Sequence, residues 1–256
     1  MNRDVVRQIV NVIGTLAVLV VNSLASALPL NGLTTGEISD QFQVYFVPAG
    51  YVFSIWGVIY LGLIAFSIYQ ALPSQRENLY LRRIGYLYAL SCTANVAWIF
   101  LWHYLVFPLT IVAMLILLAT LIAIYMRIEN GLIRRPRGET WAVRIPFSIY
   151  LGWITVATIA NVTSLLDYLQ WSGWGISDVA WTMIMLVAGG VIAGLVGVTR
   201  RDTGYWLVIV WAFAGIAVKH SSVLAVSITA IVVAVLVALV SVWATVRARA
   251  SAMPAG

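Results

Sequence analysis

Residues 107–126 read FPLTIVAMLILLATLIAIYM, twenty positions without one charged side chain. A helix of about 20 residues is about 30 Å long, the thickness of the hydrocarbon layer of a bilayer. Seven more apolar runs surround it, at about 7–28, 47–70, 83–104, 144–166, 178–199, 204–219 and 222–246. The last two form one stretch broken only at Lys219-His220-Ser221-Ser222; undivided, it would greatly exceed the bilayer. Transmembrane strands would be short and would alternate apolar with polar residues, whereas these runs are long and apolar all round. The prediction is an all-α polytopic membrane bundle of about eight transmembrane helices. The whole composition agrees: of 256 residues, 62% are apolar and 9% charged. A soluble protein runs at about 45–50% apolar and about 25% charged. A soluble enzyme, a disordered tail protein and a secreted disulfide scaffold are excluded. Cys92 is the one cysteine, which excludes an internal disulfide and a multi-cysteine metal site.

The net charge of +6 is a topology signal. With the N-terminus in the cytoplasm and the runs alternating, the cytoplasmic segments hold 14 of the 15 Lys and Arg: Arg3, Arg7, Arg76, Arg82, Arg83, Arg127, Arg134, Arg135, Arg137, Arg144, Arg200, Arg201, Arg247 and Arg249. Only Lys219 falls outside. The acids divide almost evenly, as they do where Lys and Arg set orientation. Both termini are therefore expected in the cytoplasm, and no nucleic-acid partner is expected, because no basic folded face remains. The first run has two readings. It is a retained helix, or, with Arg3 and Arg7 before it and Ala25-Ser26-Ala27 after it, a signal peptide.

No charge lies near the middle of a run, which argues against ion-coupled pumps and voltage sensors. Lys219, His103 and His220 fall at helix ends, where solvation accounts for them. Three runs carry rings and amides at steps of three and four: Phe53, Trp56 and Tyr60; Tyr88, Cys92, Asn95, Trp98 and Trp102; Tyr150, Trp153, Ala157 and Asn161. Each set shares a helix face. Such faces serve helix packing, with asparagines bonding across helices. Taken together they also describe an apolar pocket with a few polar contacts, suited to a flat hydrophobic ligand. Trp102, Trp141, Trp171, Trp174, Trp181 and Trp206 lie near run ends and read as interface anchors. Gly190 and Gly194 form a GxxxG pair in the sixth run, for packing within the bundle or for a homodimer. No nucleophile with its base and no metal-ligand cluster is present, so no catalytic or metal residue is assigned.

Several segments resemble the TspO/MBR family, the tryptophan-rich sensory proteins related to the translocator protein or peripheral benzodiazepine receptor. Pro48-Ala49-Gly50-Tyr51-Val52-Phe53-Ser54-Ile55-Trp56-Gly57-Val58-Ile59-Tyr60 resembles the opening of the family's second helix. Asn95-Val96-Ala97-Trp98 resembles its Asn-x-x-Trp on the third. Pro146-Phe147 with Ala157-Thr158-Ile159-Ala160-Asn161 resembles the pattern of the fifth. Phe53 to Trp56 is a step of three where the family usually has four. The resemblance covers about residues 7–166 and divides the chain into a five-helix module, 1–166, and an additional three-helix region, 167–256. It implies a five-helix bundle with a pocket lidded by the first interhelical loop, here about 29–46. It implies binding of tetrapyrroles such as protoporphyrin, or of sterol-like molecules, with no resident cofactor required. Tyr51, Phe53, Trp56 and Tyr60 would stack on the ligand, Asn95 and Asn161 would bond it or lock packing, and Trp98 and Trp153 would line the wall. A sensory or regulatory ligand-binding protein is the leading expectation. A transporter of a hydrophobic small molecule and a light-dependent porphyrin-degrading enzyme are the alternatives.

Overall fold

The computed structural model describes residues 2–28, 30–133 and 136–250, the last two by their backbone alone. Arg134, Arg135 and the Arg249 side chain, all counted in the charge tally, lie outside the described residues. Eight long helices carry the fold: α1 Arg3–Ala27, α2 Ile55–Ala71, α3 Leu87–His103, α4 Phe107–Arg127, α5 Ile145–Tyr168, α6 Asp178–Arg200, α7 Thr203–Lys219 and α8 Leu224–Ala250. No strand occurs among the described residues. Among the described residues, six spans are long and apolar enough to cross a membrane: Arg3–Ala27, Gly50–Ala71, Phe107–Arg127, Arg137–Tyr168, Asp178–Arg200 and Leu224–Ala248. The remaining two, α3 and α7, have 17 residues each, the lower limit for a span.

The helix ends follow from local chemistry. The predicted run 83–104 is broken at Gly85, whose φ of +57° ends a short helix over Leu79–Ile84 before α3 begins. Residues 50–54 form a 3₁₀ turn that leads into α2. Asp202 caps α7 by accepting the Tyr205 amide.

The first five helices close a ring in the order α1–α3–α4–α5–α2. α7 packs on α5 and on the 50–54 turn, and α6 and α8 pack on α7 and on each other. α1 is built into this ring. Its outward face is Ile9, Ile13, Leu16, Val20 and Leu24, while its buried stripe carries Gln8, Asn11, Thr15 and Asn22. Gln8 donates to the Gln70 carbonyl at 2.7 Å, and the Thr15 and Tyr88 hydroxyls share a bond of 2.8 Å. Such polar groups bond across neighbouring helices in lipid.

Small residues of α6 face helices of the same chain. A Cβ on Gly190 would collide with Val233, one on Gly197 with Ser241, and one on Gly189 would lie 3.1 Å from Phe213. Gly194 faces open space.

The basic residues gather at one end. Asp4 pairs with Arg7 at 2.9 Å and with Arg82 at 2.6 Å, Arg83 pairs with Glu129 at 3.2 Å, and Arg127 donates to the Arg83 carbonyl. The same end holds a buried hub. One Asp202 carboxylate oxygen accepts from Tyr125 of α4 at 2.8 Å, Asn130 of the following turn at 3.1 Å and Ser148 of α5 at 2.5 Å. This carboxylate joins the five-helix ring to α7.

Candidate functional site

At the opposite end, the segment between α1 and α2 folds over the ring as a lid. Asn31 and Gly32 turn the chain with φ of 57° and 83°. Thr34 and Glu37 then form a reciprocal cap on the short helix Thr35–Ser39. Hydrogen bonds to the backbone and hydroxyl of Thr34 hold the Glu37 carboxyl below its ordinary range. Ile38 is fully buried beneath, against Trp102 and Phe107.

The lid is held from two sides. On α3, Trp102 donates to the Thr35 carbonyl at 3.2 Å, and His103 Nε2 bonds the Thr35 hydroxyl at 3.0 Å. The Asn31 amide donates to the His103 carbonyl. On α7, Lys219 pairs with Asp40 at 2.9 Å, and His220 Nε2 bonds the Val47 carbonyl at 3.2 Å with Tyr45 against its ring. Burial lowers the pKa of His220, opposed by the Val47 bond and aided by the neighbouring Lys219 charge. Neutral His220 is therefore the form that the closed lid favours.

Under the lid is a cavity of about 290 Å³. Asn22 and Ser26 of α1 form one wall; Phe53, Trp56 and Tyr60 form another; Trp98 and Ile99 of α3 form a third; Lys219 and Asp40 stand at its edge. Trp56 and Tyr60 are stacked, 5.6 Å between ring centres and 24° between planes. Neither the Trp56 indole N–H nor the Tyr60 hydroxyl has a hydrogen-bond partner among the described residues, so both donors are open to a guest.

Four predicted residues, Phe53, Trp56, Tyr60 and Trp98, thus meet at one cavity. Three more stand behind its wall. Asn95 accepts from Asn22 at 2.8 Å and donates to the Tyr150 hydroxyl at 3.0 Å, tying α1, α3 and α5 together. Asn161 accepts from the Trp98 indole at 3.0 Å and donates to Thr110 at 2.9 Å, which fixes the Trp98 ring. Trp153 backs Phe53 and Trp56 at 5.6 and 6.2 Å, with its buried indole N–H unpartnered. Tyr51 is placed elsewhere. It is 49% exposed on the outside of the bundle, against Trp211 of α7.

Sequence reasoning passed over Asn22, Ser26, Lys219 and both histidines as site residues. The amide of Asn22 one helical face from Thr15 was a usable signal. The partners of Lys219 and His220 are far away in sequence and left no local trace. Trp102, expected as an interface anchor, is 4% exposed and supports the lid instead. Among the described residues, no group of three or more His, Cys, Asp or Glu is placed to hold a metal ion.

The family model described as TSPO-like protein matches residues 8–243, which takes in the three C-terminal helices as well as the ring. No curated protein and no solved structure gives a significant match. The match and the apolar spans make the chain an integral, multi-pass membrane protein. With the helix-two, -three and -five motifs on the expected helices and a matched region covering nearly all of the sequence, the chain belongs to the TSPO-like family.

Proposed function

We propose that the protein binds a hydrophobic, partly polar small molecule under the lid and acts as a membrane sensor or regulator. One observation carries this reading: the stacked Trp56–Tyr60 pair, with two unpartnered donors, lines a cavity that Asn22 and Ser26 of α1 line as well. An aromatic surface with few, fixed polar groups suits a flat ligand. A tetrapyrrole such as protoporphyrin is the ligand class favoured by family membership. The cavity lies at the lower edge of the usual range for ligand sites, about 300–1,000 Å³, so a whole macrocycle requires the lid to swing outward. The positive-inside rule places the basic end in the cytoplasm, with both termini, and turns the lid to the other face.

Binding is favoured over carriage by what lies beneath the cavity. The Asn22–Asn95–Tyr150 chain and the Thr15–Tyr88 bond, all buried, close the ring below it. Titrating the purified protein with protoporphyrin should quench tryptophan fluorescence along a saturable one-site curve. Quenching that rises linearly without saturation would sink the tetrapyrrole form of the proposal. Flux of the same ligand through liposomes would instead favour the carrier reading.

A further inference from the structure

A second and larger cavity, about 440 Å³, lies on the other side of the lid segment, between residues 43–46, α5 and α6. Its chemistry differs from that of the lidded cavity. Asp167, in the last turn of α5, and Asp178, at the start of α6, both line it, and no Lys, Arg or His does. Neither carboxylate has an ion-pair partner among the described residues. Asp178 is accounted for by the positive end of the α6 dipole, but Asp167 sits at the negative end of α5, where an acid is disfavoured.

Two further observations point to a guest. Thr182 is only 5% exposed, lines the cavity, and its hydroxyl has no hydrogen-bond partner among the described residues. Trp171 and Trp181 also line it, their ring centres 5.4 Å apart, and Trp181 is locked by its indole N–H donating to the Gly173 carbonyl at 2.9 Å. An aromatic pair with one ring held in place, beside two carboxylates without an ion-pair partner, is a surface that attracts a cation with an apolar body.

We infer that this cavity is a binding site for an amphipathic organic cation. Asp167 and Asp178 neutralise its charge, Trp171 and Trp181 hold its apolar body, and Thr182 bonds a polar substituent where the ligand carries one. The inference rests on none of the residues that form the lidded cavity.

Two probes with the same four-ring body and opposite charge separate charge recognition from hydrophobic partition. Calorimetric titration of the purified protein in neutral detergent should give saturable one-site binding of tetraphenylphosphonium and none of tetraphenylborate. Asp167→Asn combined with Asp178→Asn should weaken binding by about tenfold or more, because both charges that attract the cation are removed. Trp56→Ala, in the other cavity, should leave it unchanged. Equal binding of the two probes by the wild-type protein would overturn the inference without any variant. So would wild-type affinity in the double variant, or loss of binding in Trp56→Ala.

Discussion

Lys219 Nζ lies 2.9 Å from Asp40 Oδ1, and this pair ties the end of α7 to the lid across 179 positions of sequence. It is the point at which a C-terminal helix, outside the five-helix ring, touches the lidded cavity. Among the described residues, Lys219 is also the one Lys or Arg away from the basic end.

Asp40→Asn should therefore loosen the lid more than it destabilises the protein. The side chains are 31% and 69% exposed, and pairs of that kind contribute about 0–1 kcal/mol. Amide hydrogen exchange over residues 34–46 should rise severalfold, with the thermal midpoint in detergent almost unmoved. Unchanged lid exchange would show that the α3 contacts suffice.

Acid should open the same end. His220 has a folded-state pKa below its ordinary 6.5, because burial disfavours the imidazolium, so its contribution is complete above about pH 6.5 and is lost as pH falls through the folded value. Glu37 follows at lower pH. Its pKa is held below 4.5 by the Thr34 bonds, so its contribution is present above that value and is lost as pH falls through the lowered one. Lid exchange, corrected for intrinsic rates, should rise as pH is lowered below about 6.5 in the wild type, and His220→Gln should remove that step.

The floor of the cavity is a separate test. Asn95→Ala leaves the Asn22 amide and the Tyr150 hydroxyl without their buried partner. A loss of about 1–3 kcal/mol is expected, read as a lower thermal midpoint by circular dichroism. An unchanged midpoint would mean that the three helices hold together by ring packing alone.

Asp202→Ala should cost more than Asn95→Ala. It removes the α7 cap and strands the hydroxyl donors of Tyr125 and Ser148, while Asn130 keeps the Arg144 carbonyl and the Ser148 hydroxyl as acceptors. About 3 kcal/mol or more is expected for bonds to a buried charge. Limited proteolysis should then cut first near the α6–α7 turn. Asp202→Asn, which keeps an acceptor and the cap, should be milder.

The sequence made the bundle legible because each long run carried its own length and hydropathy. Trp56, Tyr60 and Trp98 were legible as wall residues because spacing on a helix is local information, and Phe53, in the turn before α2, reaches the same cavity. Tyr51 was not. Its place rested on the resemblance to the family's second helix and not on spacing, and in the 3₁₀ turn of residues 50–54 it lies on the outside of the bundle, against Trp211. The lid latches were illegible for a different reason. His103, Lys219 and His220 look like solvated helix ends until the chain is folded, and only then do Thr35, Asp40 and Val47 lie beside them. Asn22 was hidden in a run that also read as a signal peptide, although its partner Asn95 had been singled out.

Stacking of the ligand on α2 inside the lidded cavity is decided by one comparison. Protoporphyrin titrations of Trp56→Ala and of Trp243→Ala each remove one tryptophan, the first from the cavity wall and the second from the outward face of α8, where it is 56% exposed. Trp56→Ala should raise the dissociation constant by about tenfold, the loss of roughly 1–1.5 kcal/mol of stacking, while Trp243→Ala should leave it unchanged. Equal affinity in both variants and the wild type, or equal weakening in both, would contradict stacking on α2.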